Sequence, residues 1–184
     1  MIAVRFESHA TSIDNEAGLA SGHYDVALSP AGERQAAELG RRYAGSGIRA
    51  VYCSDLQRSY RTAELAFAEC AIEIVRDRRL RECDYGEFTR RPRSEFLFDP
   101  VEWLDRPFPG GESYRDAARR VREFLQDVAK RNERQSMLII GHRATQYALE
   151  HWLKGRPLEQ VLSAPWQWQP GWMYELDRSR EPWI

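Results

Sequence analysis

Two histidines stand where apolar runs end. His9 closes the first such run, in the stretch Glu7-Ser8-His9-Ala10-Thr11, and His142 follows Gly141 directly after the apolar residues Met137 to Ile140. A third run, Ala50 to Cys53, leads into Ser54 and then into a helical pattern that carries Arg58. Two imidazoles and a guanidinium on one surface suit phosphoryl transfer. A neutral imidazole can attack phosphorus, while a protonated imidazole and a guanidinium beside it hold the equatorial oxygens as charge builds. That chemistry requires neither a metal nor an organic cofactor.

The elements that must position these groups alternate between short extended runs and longer helical patterns. Ile2 to Phe6 reads as the first strand, although Arg5 and the adjacent Glu7 are unusually polar for the centre of a sheet. Thr11 to Leu28, punctuated by Gly18, Ser21, Gly22 and Asp25, is expected to be an extended loop. Ser29 and Pro30 open a helix that runs to about Ala44 and stops before Gly45 and Gly47. Ala50 to Cys53 is the second strand, and the helix after it starts at about Asp55 with Leu56, Tyr60, Ala63 and Phe67 on one face. Ile72 to Val75 is a third strand. From Arg76 to Gly111 the chain is irregular and contains Pro92, Pro100, Pro107 and Pro109, as expected of a lid or substrate loop.

Glu112 to about Lys130 has a strong amphipathic stripe of Ala117, Val121, Phe124, Leu125 and Val128, with Ser113 placed to cap it. Met137 to Ile140 is a strand covered on both faces. Helices from about Ala144 to Leu153 and from Pro157 to Leu162, then a strand from Trp172 to Leu176, complete the chain. The pattern predicts an α/β three-layer sandwich in one domain over residues 1–184, its central sheet mostly parallel and covered by helices on both faces. Ligands bind outside the carboxyl ends of such strands, so His9, Ser54 and His142 are predicted to share one rim.

Composition narrows the partners. The 27 Lys and Arg residues nearly balance 28 Asp and Glu, so no global basic field favours nucleic acid or an anionic membrane. No apolar stretch is long enough for a transmembrane helix or signal peptide, and a cytoplasmic protein is expected. Cys53, Cys70 and Cys83 are too few and too widely spaced for a disulfide framework or a zinc site, and are read as free thiols. The aromatic segment Trp166, Trp168, Trp172 and Tyr174 is expected to serve core and edge packing. His23 and His151 are read as surface or loop residues. Trp183 is an edge aromatic suited to a contact between copies, leaving monomer and homodimer both open.

Several separated motifs, in one order, resemble the histidine phosphatase superfamily that includes the cofactor-dependent phosphoglycerate mutases. They are Ser8-His9-Ala10 with Asn15; Ser21, Gly22 and Asp25; Leu28, Ser29, Gly32, Gln35 and Ala36; and Ser54, Leu56, Arg58, Thr62 and Ala63. Leu80, Glu82, Tyr85 and Gly86, then Pro109 to Ser113, then Gly141 and His142, complete the series. The resemblance implies a phosphoglycerate mutase-like fold and a phosphatase of small phosphate monoesters. It further implies that His9 is phosphorylated, that Arg58 and His142 bind the phosphoryl group, and that Glu82 protonates the leaving oxygen and then activates water. Asp84 and Glu87 are alternative acids to Glu82, and Arg61 lies three residues from Arg58. The acid phosphatase branch has an Asp directly after its second histidine. Arg143 stands there in this chain, which favours the mutase-like branch.

Ser8 departs from the family pattern, which has an arginine at that position. A hydroxyl cannot reproduce the planar, bidentate clamp of a guanidinium. Loss of one preorganised donor typically costs about 100- to 1000-fold in rate. Arg143, oriented by Glu7, is the expected substitute, and Ser8, Asn15, Ser21, Gly22 and Arg143 are the expected substrate-binding set. The leading reading is a metal-independent phosphatase. The alternative is a weak or inactive member that binds a phosphorylated or other anionic ligand. A mutase is the least favoured, because the segment from Glu82 to Pro109 is short for retaining a bisphosphorylated intermediate.

Overall fold

The computed structural model describes residues 1–97, 99–131 and 136–177. Its strands are β1 (Ile2–Ser8), β2 (Ala50–Cys53), β3 (Glu73–Arg76), β4 (Met137–Gly141) and β5 (Trp172–Leu176). Its helices are α1 (Ile13–Glu16), α2 (Pro30–Tyr43), α3 (Gln57–Ala66), α4 (Tyr114–Lys130), α5 (Arg143–Lys154) and α6 (Leu158–Ser163). The strands form one sheet in the order β3-β2-β4-β1-β5. Pairing is parallel except for β5, which runs antiparallel along β1. Among the described residues no helix is long and apolar enough to cross a membrane. Trp183 lies outside the described residues.

Period-two alternation in the central strands builds the two covering layers. Val51, Cys53, Leu138 and Ile140 pack with Leu39 and Tyr43 of α2, with Ala63 of α3 and with Phe67 at the end of α3. The intervening Ala50, Tyr52, Met137 and Ile139 face the opposite way, where Val121, Phe124 and Leu125 of α4 and Ala148 and Leu149 of α5 cover them. Burial of each such large side chain contributes about 1.5–3 kcal/mol. Helices therefore lie on both faces, as the sequence pattern requires.

The polar strand β1 has a local explanation. Glu7 is only 2 % exposed, yet it is satisfied: its Oε1 accepts from Tyr43 Oη–H at 3.0 Å and from Arg42 at 3.1 Å. Arg5 lies over the Tyr43 ring at 5.8 Å. The end of α2 thus supplies polar partners to the polar side of β1, which extends to Ser8 rather than stopping at Phe6.

One of the two expected loops needs revision. The stretch from Thr11 to Leu28 contains α1, because Ser12 Oγ accepts the Asn15 amide at 3.1 Å while Asn15 Oδ1 accepts the Ser12 amide at 3.1 Å. The irregular segment after β3 is held by aromatic packing and four 3-10 turns among the described residues. Trp103 stacks on Phe108 at 4.3 Å, and Tyr85, Phe96 and Tyr114 meet Phe108 edge-on. A clasp closes this segment at its base. A Cβ on Gly86 would lie 2.0 Å from the Pro109 carbonyl oxygen, and one on Gly111 would lie 2.2 Å from that of Asp84. Only glycine permits so close an approach of two backbones.

Candidate active site

The carboxyl ends of β1, β2 and β4 converge as the topology predicts. The His9 amide donates to the Gly141 carbonyl at 2.9 Å, joining the two histidine-bearing ends directly. Thr62 of α3 holds the next residue, its Oγ1 accepting the Ala10 amide at 3.0 Å and donating to the Arg58 carbonyl at 2.7 Å. Ser59, at the start of the same helix, donates to the Ile140 carbonyl at 2.8 Å and accepts the Ser54 amide at 3.2 Å. One helix end therefore fixes three strand ends.

The His9 and His142 rings lie with centroids 4.8 Å apart. His9 Nδ1 donates to the Ala10 carbonyl at 2.7 Å, which leaves Nε2 as the free lone pair. Burial, followed by the Arg58 charge, lowers its pKa to about 3, so the ring is neutral at ordinary pH. His142 Nε2 lies 2.7 Å from Ser54 Oγ. That oxygen also accepts the Leu56 amide at 3.3 Å, so the serine hydroxyl is free to donate to Nε2. Nδ1–H of His142 is then a buried donor without a partner.

Burial, then the Arg58 charge and the neighbouring His9 ring, holds His142 well below the usual histidine range. The sequence pattern predicts a protonated second imidazole, whereas burial favours its neutral form. A dianionic phosphoryl group would reverse that balance by supplying opposite charge.

Glu82 arrives on the turn after β3. Its Oε1 accepts the Cys83 amide at 2.9 Å and the Ala144 amide, at the start of α5, at 3.0 Å, while no protein donor among the described residues engages Oε2. Its carbonyl accepts from His23 Nε2 at 2.9 Å and from Arg120 at 2.8 Å. Arg120 also pairs with Glu112 at 2.6 Å. His23, expected to be a bland loop residue, is thus a support beneath Glu82. Only its three-dimensional neighbours reveal this, since nothing adjacent to it in sequence marks it.

A cavity of about 560 Å³ opens here, lined by Ser8, His9, Asn15, Glu82, Arg93, His142 and Arg143 among others. Ser21, Gly22 and Arg58 are not in its lining. Ser21 donates to buried Asp14 at 3.1 Å. Arg58 is 2 % exposed and donates to the Gly22 and Tyr24 carbonyls at 2.8 and 2.9 Å, so it stands behind the wall and reaches both imidazoles through its charge. Asn15 lines the cavity while serving as a cap. The Arg143 guanidinium lies 4.4 Å from the centre of the Trp166 ring, and Glu7 pairs with Arg42 and Tyr43 instead of orienting Arg143. Trp168 is 56 % exposed and lines the cavity, so it is not simply edge packing.

Arg93 also lines the cavity, and no motif in the sequence singles it out. Its signal was the predicted substrate loop, which narrowed the region but not the residue.

The model of the histidine phosphatase superfamily (branch 1) matches residues 5–183. Phosphoserine phosphatase 1 of Hydrogenobacter thermophilus is 30 % identical, over 89 % of this chain and 81 % of its own. The "Probable phosphoglycerate mutase GpmB" of Erwinia tasmaniensis is 32 % identical, over 77 % and 70 %. Among solved structures, YhfR of Bacillus stearothermophilus superposes with a TM-score of 0.84 at 26 % identity, over 96 % of this chain and 92 % of that one. Matched along nearly its whole length, this chain belongs to the histidine phosphatase superfamily.

Proposed function

We propose that the protein is a metal-independent phosphatase that hydrolyses a small phosphate monoester through a phosphohistidine on His9. The observation that carries this reading is the state of His9: its Nδ1 is anchored on the Ala10 carbonyl, its ring is neutral, and its free Nε2 belongs to a cavity shared with His142 and Glu82. In the first step Nε2 attacks phosphorus, the P–O bond to the leaving group breaks, and Glu82 Oε2 gives that oxygen a proton. In the second, Glu82 takes a proton from water as the water attacks phosphorus and the N–P bond breaks, releasing inorganic phosphate. His142 Nδ1–H and the Arg58 charge favour the transferring oxygens. The phosphatase names of relatives support the hydrolytic direction.

The test is hydrolysis of p-nitrophenyl phosphate in excess chelator, by wild type and by His9→Ala, with alkaline-quench detection of an acid-labile, base-stable phosphoenzyme formed from radiolabelled substrate. Wild-type turnover with label on His9 is expected. Turnover that persists in His9→Ala removes the nucleophile assignment, and turnover abolished by chelator removes metal independence. One observation favours a second reading. With serine at position 8 and Arg58 behind the cavity wall, the site also suits a non-catalytic receptor for a phosphorylated ligand. Phosphate binding without any hydrolysis would select it.

A further inference from the structure

We propose that Arg93 supplies the guanidinium clamp on the transferring phosphoryl group that Ser8 does not. The inference rests on the phosphoryl-transfer reading above and concerns the same site.

Three arginines line the cavity, Arg42, Arg93 and Arg143. Two are committed. Arg42 is bonded to Glu7 at 3.1 Å, and the Arg143 guanidinium lies over the Trp166 ring at 4.4 Å. The half-buried Arg93 side chain has no carboxylate or ring partner among the described residues. Its charge acts on His9, and also on Tyr85 and Tyr147 across the same space. A guanidinium in a cavity, with no ion-pair partner among the described residues and within electrostatic reach of His9, is the donor an incoming phosphoryl group lacks here.

The backbone also fixes Arg93. Residues 90–93 are stitched to residues 18–20: the Arg90 amide donates to the Ala20 carbonyl at 2.7 Å, the Ala20 amide to Arg91 at 3.0 Å, and the Arg93 amide to Gly18 at 3.1 Å. Arg90 adopts φ +63°, a conformation that side-chain-bearing residues rarely take. That turn persists because its own guanidinium is held by buried Asp14 at 3.2 Å and lies over the Tyr24 ring at 4.5 Å. Strain of this kind collects where a segment must be held in one place for function. The stitched loop leads on to Gly22 and Tyr24, the acceptors of Arg58, so one short span orders both cations.

The experiment pairs orthovanadate binding, measured by calorimetry, with p-nitrophenyl phosphate kinetics for wild type, Arg93→Ala, Arg93→Lys and the double variant Arg93→Ala/Ser8→Arg. Arg93→Ala should bind vanadate at least tenfold more weakly and lose about 100- to 1000-fold in kcat/KM, mostly in kcat. Arg93→Lys should fall between, because it keeps the charge and loses the fork. Adding Ser8→Arg to Arg93→Ala should recover at least tenfold. Thermal melts check folding, and the stitching bonds are all backbone. Vanadate affinity and kcat/KM both within threefold of wild type in Arg93→Ala would overturn the assignment. So would failure of Ser8→Arg to rescue, or a loss confined to esters that carry a second anionic group. Vanadate binding that depends on Arg93 in a wild type without hydrolysis supports the clamp and defeats only the catalytic reading. A wild type that binds no vanadate defeats both.

Discussion

The strand-end rim and the irregular wall opposite it are built on different principles. On the rim, His9, Ser54 and His142 follow directly from β1, β2 and β4, and parallel pairing from Val4↔Met137 to Ser8↔Gly141 brings two of those ends together. On the wall, Glu82, Tyr85 and Arg93 are placed by a ring cluster, by the Arg120–Glu112 ion pair and by backbone stitching between segments far apart in sequence. A rim of this kind tolerates changes in its surroundings as long as the sheet stands. The wall depends on each of its contacts.

The largest expected effect breaks the rim chemically while leaving it folded. His9→Ala should lower turnover about 10⁴-fold or more, with a circular dichroism spectrum matching wild type. A loss below tenfold would place the nucleophile elsewhere.

Phe108→Ala attacks the wall. Phe108 is 1 % exposed and contacts Trp103, Tyr85, Phe96 and Tyr114, so its truncation should cost about 3–5 kcal/mol in urea unfolding. Activity should fall with it, since the same cluster carries Tyr85. A cost under 1 kcal/mol would mean that the rings do not hold the segment.

Acid sharpens the comparison from the side of the rim. An unfolded histidine takes up its proton near pH 6.5, whereas His9 in the fold does so only near 3. Between those values the unfolded chain binds more protons, so stability rises with pH through the window and levels off above it. His142 acts in the same direction. Moving from pH 8 to pH 5 should cost about 1–2 kcal/mol through His9, and His9→Asn should remove that part. Equal pH dependence in the two proteins, by urea melts, would contradict the lowered pKa. The smallest effect is expected at the exposed lip: Trp168→Ala should change stability by less than about 0.5 kcal/mol while raising KM for bulky aryl phosphates. Unchanged KM across esters of different size would take Trp168 out of the substrate path.

What the sequence showed divides along the same line. Met137 to Ile140 reads as a covered strand because each residue is apolar, and His142 follows as a strand-end residue. The motif of Ser54, Arg58 and Thr62 is legible because one helix start does several jobs at once. Arg5 and Glu7 stood out as misplaced, and their reason, the Tyr43 and Arg42 partners, lies on another element. Arg143 is legible from its place directly after His142, and it lines the cavity with its guanidinium over the Trp166 ring. Arg93 and His23 are invisible to spacing, since long-range backbone bonds and a carbonyl contact define them. Glu82 was found by resemblance alone.

The clasp of Gly86 against Pro109 and of Gly111 against Asp84 has a consequence for how such a protein can change over time. It pins both ends of the intervening loop to the same point, upstream of which lies Glu82 and downstream of which α4 begins. Lengthening a loop with fixed ends costs only about 0.6 kcal/mol for each doubling. Insertions and deletions between the two glycine contacts, outside Arg93 and the Phe96, Trp103 and Phe108 cluster, can therefore accumulate without moving Glu82. Selection can reshape what the cavity accepts in this interval while the strand-end rim of His9, Ser54 and His142 keeps its place.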